Sequence, residues 1–195
     1  MEPSDFEFDL PPELIAQEAL PERSASRLLV VPAEAGAPPR DLHFRSLPDL
    51  LRPGDLLVGN DSRVVPARLF GHKASGGRVE LLLERQLDDH EALVQLRSSH
   101  APKPGARLEF GQGVIAEVLA RQDEFFRLRF SAPLAPLLDA EGHVPLPPYI
   151  RRQDQPGDRA RYQTVFARQP GSVAAPTAGL HFDAPLLADL ATRNV

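Results

Sequence analysis

Between residues 65 and 131 the chain reverses direction at short, near-regular intervals, and each reversal carries its own turn chemistry. Strand-like runs cover Ala67–Gly71, Arg78–Arg85, Glu91–Arg97, Ala106–Phe110, Val114–Arg121 and Phe125–Phe130. Ser75-Gly76-Gly77 and Gly111-Gln112-Gly113 supply glycines for positive φ, and Lys103-Pro104-Gly105 puts Pro and then Gly where a type II turn needs them. Arg127-Leu128-Arg129-Phe130 alternates with the period of a half-buried strand. Six short antiparallel strands leave two exposed edges unless the sheet closes on itself, so a small closed barrel is expected. Its phenylalanines (Phe70, Phe110, Phe125, Phe126 and Phe130) are mostly destined for the core. The barrel is therefore expected to be a scaffold or to position substrate, more than to stack bases.

The flanks read differently. Phe6, Phe8 and Leu10 alternate with acids and predict a short strand, stopped by Pro11-Pro12 before a brief helical run over 13–17. Ser26–Val31 predicts a second strand, followed by an Ala/Gly/Pro loop over 32–41. Ser46 with Asp49 resembles a capping box for a helix over Leu47–Leu51, and Pro53-Gly54 closes it. Asp55–Val58 predicts an apolar strand buried on both faces. Residues 132–150 are a stiff, Pro-rich connection, and Asp183 predicts the cap of a last helix still running at Val195.

Several function classes are excluded or narrowed by composition. With no cysteine there is no disulfide, thiolate metal site or thiol nucleophile, so the chemistry falls to oxygen and nitrogen groups. The acidic start, Met1-Glu2-Pro3-Ser4-Asp5, is unlike a signal peptide, no window is apolar enough to span a membrane, and a cytoplasmic protein is expected. A net charge of −5 rules out coating nucleic acid by bulk charge. Binding one shaped RNA through a local arginine patch remains compatible with it.

Three stretches combine polar groups with backbone-shaping residues. Gly59 to Arg68 follows the predicted strand 55–58, where polar side chains commonly line ligand sites; Asn60, Asp61 and Ser62 equally suit an Asx-turn. Arg151 to Arg168 holds five arginines against two aspartates, with Tyr162 as a stacking face; a phosphate-binding island and a solvated polar loop both fit. Gly171 to Phe182 is rich in small residues that let a ligand approach backbone N–H groups, and its His181 is the best single acid/base candidate. There is no Walker loop, dinucleotide fingerprint or zinc-ligand spacing.

Taken together, eight stretches in order resemble the S-adenosylmethionine:tRNA ribosyltransferase-isomerases of queuosine biosynthesis. They are Asp5–Pro11, Leu14–Gln17, Arg23 with Ser26–Leu29, Pro53–Val58, Asn60–Arg68, Pro145–Ile150, Arg161–Ala167 and Ser172–Phe182. Gly59, Ser62, Phe166 and Ser172 depart mildly from the family pattern. The resemblance implies an α/β (mixed) main domain from residues 1–64 and 146–195, incomplete here, with a six-stranded antiparallel β-barrel inserted at 65–145.

The reaction it implies moves the ribosyl part of S-adenosylmethionine onto 7-aminomethyl-7-deazaguanine at the wobble position of tRNA. An epoxycyclopentane forms as adenine and methionine leave. S-adenosylmethionine is then a consumed substrate; no cofactor, metal or membrane is expected, and the protein is expected to be a monomer. The positive sulfur acidifies the neighbouring C5′ position, which calls for a general base, while a donor assists departing adenine. On this resemblance Asp61 and His181 are the acid/base candidates. Asn60, Arg63, Arg68, Tyr162, Gln163, Thr164, Pro176, Thr177, Ala178 and Gly179 are assigned to substrate, with Arg63 or Arg68 on a carboxylate or phosphate. Arg151, Arg152, Arg159 and Arg161 are assigned to RNA. The family normally continues well beyond residue 195, so an N-terminal portion with part of a site is expected, and a non-catalytic tRNA- or partner-binding module is the alternative for this chain.

Overall fold

A computed structural model describes residues 2–195. Strands β1 (Arg27–Val30) and β2 (Arg40–His43) form an antiparallel hairpin, so the expected loop over 32–41 is shorter than its composition suggested. A 3-10 helix, Phe44–Leu50, follows, and strand β3 (Ser62–Val64) leads toward the barrel. The helix begins earlier than the Ser46 signal, and its N-cap residue His43 makes no side-chain capping bond. Phe44 sets the start: its N–H donates to Ser26 O at 2.7 Å, and its ring is buried against Phe182, Leu186 and Leu190.

The barrel is the most legible part of the fold. β4 (Arg68–Lys73), β5 (Arg78–Gln86), β6 (Glu91–Arg97), β7 (Arg107–Glu109), β8 (Ile115–Gln122) and β9 (Phe125–Phe130) close in the order β4-β5-β6-β9-β8-β7, every pair antiparallel. Closure depends on Gly71, since a Cβ there would lie 2.5 Å from Glu109 O across the β4–β7 seam. Register shifts in β5 and β8 supply the extra local twist that a closed sheet requires. Gly76 (φ +80°) and Gly105 (φ +82°) occupy the expected turns. Alternate residues fill the interior, with Leu69, Leu81, Val94, Leu108, Leu128 and Phe130 almost wholly buried.

One end of that interior is plugged by helix α1 (Leu134–Glu141), which the Pro-rich reading of 132–150 missed. Pro133 precedes its first residue, where a proline is tolerated, and Leu134, Leu137 and Leu138 join the barrel core at helical spacing. The polypeptide next forms α2 (Pro156–Arg161), β10 (Gln169–Ser172) and α3 (Ala184–Thr192). Asp183 caps α3 as expected, its carboxylate accepting Leu186 N–H at 2.9 Å. The helix does not run on to Val195: Asn194 turns to φ +60° and Val195 N–H donates back to Leu190 O at 3.1 Å.

A second, smaller core joins Phe44, Phe182, Leu186 and Leu190, with Leu28, Leu47, Leu51 and Phe166 packed around it. β3 and β10 pair in parallel, so the architecture is mixed α/β beside an antiparallel barrel. Three expectations outside the barrel fail for one reason. The alternating run at 6–10 is no strand; Pro3–Phe6 is a 3-10 turn, and Phe6 and Phe8 are exposed. The helical run over 13–17 shrinks to a 3-10 turn at Pro12–Leu14. Residues 55–58 are irregular, with Leu56 and Val58 more than 80% exposed. Local pattern becomes regular structure only where tertiary packing completes it: residues 6–10 and 55–58 pair with no strand among the described residues, and the short run at 13–17 has Leu14 exposed and so buries little apolar face to hold a helix.

Candidate functional site

The parallel β3–β10 pair brings together segments more than a hundred residues apart. Asp61 C=O accepts the N–H groups of Arg168 (2.7 Å) and Gln169 (3.1 Å), and Val65 N–H donates to Ser172 O at 2.9 Å. Gly171, at φ +127°, absorbs the register shift between Pro170 and Ser172. On the other side of β3, the Gln163 side chain behaves like a strand backbone. Its Oε1 accepts Val64 N–H at 2.9 Å and its Nε2 donates to Val64 O at 2.6 Å. Asn60 forms the Asx-turn foreseen for it, accepting Ser62 N–H at 2.8 Å.

Above this platform opens a cleft of about 670 Å³, within the roughly 300–1,000 Å³ common for small-molecule sites. One wall is Leu57–Asp61; the other is Pro176–Gly179, the start of the 3-10 helix Thr177–His181. Phe166, Phe182 and Leu187 make its apolar base. Gly179 is needed for close packing there, because a Cβ would fall 2.8 Å from Thr164 Cγ2 and 3.2 Å from the Phe166 ring. The charged feature of the cleft is the Asp61–Arg168 ion pair at 3.1 Å, with Arg168 79% exposed and free to reach a ligand anion.

The predicted site residues divide clearly. Asn60, Asp61, Pro176, Thr177, Ala178 and Gly179 line this cleft together. His181 does not line it: it is partly buried, with its ring 5.2 Å from that of Phe44. Burial, and then the Arg161 charge, push its pKa below the usual histidine value. Arg63 is exposed on β3. Arg68 points its guanidinium to the barrel side, 3.2 Å from Glu80 and 3.5 Å from Leu146 O. Gln163 is committed to Val64, and Thr164 is buried beneath Gly179 with no partner for its hydroxyl among the described residues.

The arginine island is largely occupied internally. Arg152 makes a two-pronged pair with Asp158 at 2.6 and 2.8 Å and also donates to Gln17 O. Those side-chain hydrogen bonds hold the Asp158 carboxyl below the ordinary range. Arg159 donates to Asp139 O and Gly142 O, and Arg161 to Leu20 O and Pro21 O. Arg151 alone of the four has an exposed side chain without an ion pair or hydrogen bond among the described residues. Phe182 belongs to the 171–182 stretch and Arg168 to the arginine island, but the sequence singles out neither as a site residue, and Phe166 and Leu187 in the cleft carry no sequence signal for a site. Arg168 lies 107 positions from its partner Asp61, a separation for which a single sequence carries no local signal.

Among the described residues no group of three or more His, Cys, Asp or Glu side chains converges to hold a metal, and no helix is long and apolar enough to cross a membrane. A family model described as queuosine biosynthesis protein matches residues 3–195. An S-adenosylmethionine:tRNA ribosyltransferase-isomerase of Xylella fastidiosa (strain M23) is 60% identical over 194 residues, covering 98% of this chain and 56% of that protein. A protein of the same name from Xanthomonas euvesicatoria pv. vesicatoria (strain 85-10) is 59% identical over 197 residues, covering 100% of this chain and 55% of that protein. A crystal structure of an S-adenosylmethionine tRNA ribosyltransferase from Thermotoga maritima aligns with 98% of this chain and 55% of its own, at 30% identity and a TM-score of 0.38. The chain thus spans about half the length of the curated relatives it matches.

Proposed function

Because the chain belongs to the queuosine biosynthesis protein family, we propose that its cleft binds S-adenosylmethionine for ribosyl transfer to tRNA carrying 7-aminomethyl-7-deazaguanine at the wobble position. The observation that carries this reading is the cleft itself. Two of the stretches that resemble the family, Asn60–Arg68 and Ser172–Phe182, are drawn together across β3 and β10 to form it. Its apolar base suits the methyl and methylene groups around the sulfonium, and the exposed guanidinium of Arg168 suits the methionyl carboxylate. Arg168 replaces Arg68 in that role, since Arg68 is engaged on the barrel.

Asp61 is the acid/base group inside the cleft. The sulfonium draws electron density from C5′, so a carboxylate held there can accept the proton released. His181 is the second acid/base candidate; it lies outside the cleft against Phe44, at the end of the 3-10 helix whose start forms one cleft wall. Adenine and methionine leave as the carbon skeleton passes to the aminomethyl nitrogen. The reaction is cytoplasmic on this reading and uses no resident cofactor or metal.

The test is adenine release from S-adenosylmethionine in the presence of the modified tRNA, with the protein and its Asp61→Asn and His181→Phe variants. Loss of release in Asp61→Asn with S-adenosylmethionine binding retained supports the assignment. Unchanged release refutes it. His181→Phe keeps a ring against Phe44, so activity in that variant removes the histidine from proton transfer.

A further inference from the structure

A second cavity lies behind the first, and Thr177 lines both. At about 210 Å³ it is smaller than the roughly 300–1,000 Å³ of sites that hold whole drug-sized molecules, so it suits a single ring system. The chain has two tyrosines and no tryptophan, and both tyrosines, Tyr149 and Tyr162, line this one cavity. Tyr162 is partly buried, and its pKa is raised by that burial and then by the nearby Tyr149. Pro147, Ile150 and Leu180 complete an apolar wall.

The charges around the cavity decide what kind of group it can take. Arg152 is paired with Asp158, and the terminal nitrogens of Arg161 donate to Leu20 O and Pro21 O, while its Nε is buried with no partner among the described residues. Glu18 on the rim offsets the remaining positive charge. A phosphate gripped by either guanidinium's terminal nitrogens would have to displace existing partners, leaving it only the buried Arg161 Nε, whereas a neutral ring can use the aromatic and apolar faces and offer that one N–H a ring-nitrogen acceptor. Two of the arginines that suggested a phosphate site in the sequence, Arg152 and Arg161, line this tyrosine cavity.

We infer that the Tyr149–Tyr162 cavity binds a neutral planar heterocycle of the purine type, held by stacking and without a phosphate contact. The choice of a purine rests on the proposed reaction, because both its substrates carry such bases; the ring site itself rests on the cavity. Adenine of the sulfonium substrate and the guanine-like RNA base share this chemistry, and the wall shared with the larger cleft places either beside the reacting ribosyl group.

With no other tyrosine in the chain, ring-labelled tyrosine gives an NMR spectrum that reports on this cavity alone. Titration of the full chain with adenosine, guanosine and adenosine monophosphate is expected to shift both tyrosine ring signals saturably. A response to adenosine alone assigns the cavity to the sulfonium substrate's base, and a response to guanosine alone assigns it to the RNA base. Adenosine and its monophosphate should bind within about threefold of each other, since no counterion is exchanged at the ring site. Tyr162→Leu and Tyr149→Leu should each weaken binding by about tenfold, as loss of one stacking face does, while Tyr162→Phe keeps it. No saturable shift up to about 10 mM, a preference of tenfold or more for the monophosphate, or undiminished binding in both leucine variants would overturn the inference. Unchanged barrel amide signals verify that the variants fold. Adenine release is measured separately: its absence with the ring shifts intact counts against the proposed reaction and leaves the ring site standing.

Discussion

Replacing Gln163 by glutamate exchanges one atom and inverts one hydrogen bond, so the consequence can be worked out from two distances. In the native protein Val64 N–H donates to Oε1 at 2.9 Å and Nε2 donates to Val64 O at 2.6 Å, around a residue only 6% exposed. A carboxylate keeps the first bond and strengthens it, but it sets a second oxygen lone pair against the Val64 carbonyl. The loss is one hydrogen bond plus an unsatisfied buried carbonyl, about 2–4 kcal/mol. Protonation restores an O–H donor to Val64 O and recovers most of it. The folded variant therefore holds the proton of the introduced carboxyl more tightly than the unfolded chain, in which such a group titrates near about 4.3. A loss of that size corresponds to a folded-state pKa raised by about 1.5–3 units. Stability of Gln163→Glu relative to the parent is then nearly intact below about pH 4.3 and is lost as pH rises through the higher, folded value. Urea denaturation followed by circular dichroism from pH 4 to 7.5, with both proteins at each pH, measures the difference. The reasoning is refuted if the deficit is below about 0.5 kcal/mol at pH 7 or does not shrink toward pH 4.

Other consequences follow from separate parts of the structure. Gly179→Ala should destabilise by about 1–3 kcal/mol through its clash with Thr164 Cγ2, and Thr164→Ser in the same chain should restore part of that; additive effects would show that the two do not touch. Gly71→Ala should open the β4–β7 seam, read as faster amide exchange in both strands; protection equal to the parent's would contradict the 2.5 Å approach. Leu137→Ala should cost about 2–5 kcal/mol in thermal or urea unfolding if α1 plugs the barrel as described, and a change under about 1 kcal/mol would place the helix outside the core. His181 is held below its normal pKa, so between about pH 6.5 and its folded value the unfolded chain binds the proton that the native state refuses. Stability should fall as pH drops from 7.5 to 5.5 and the slope should flatten in His181→Phe; an identical slope in that variant would assign it elsewhere.

The barrel was legible because its information is local. Most strands carry their own alternation, and four of the six neighbouring pairs join strands consecutive in sequence, so Gly76 and Gly105 mark reversals that the local sequence announces; only the β6–β9 and β4–β7 pairings are long-range. Outside the barrel the same signs misled. Phe6 and Phe8 alternate without a partner strand, and Asp55–Val58 is apolar without cover, because strand formation there depends on neighbours that a local pattern does not specify. The candidate site was half legible for a related reason. Asn60, Asp61 and the 176–179 loop stood out by residue type and meet in one cleft. Gln163 also stood out, and it proved to be a prosthetic strand for Val64, since an amide side chain can complete a backbone ladder as readily as it can bind a ligand. Arg152 is satisfied by Asp158, and the terminal nitrogens of Arg161 by carbonyl groups, partners that only the tertiary fold brings near. Arg168 is counted in the arginine island but is not singled out by sequence, because its place in the cleft comes from its pairing with the distant Asp61.

A crystal structure of the chain soaked with S-adenosylmethionine decides whether the cleft between Leu57–Asp61 and Pro176–Gly179 holds the sulfonium substrate. Ligand density is expected within that cleft, with the methionyl carboxylate at the Arg168 guanidinium, the sulfonium and C5′ facing Asp61, and the Thr177–Gly179 backbone in contact. Density for the ligand at another surface, with this cleft holding only solvent at saturating concentration, would contradict that placement.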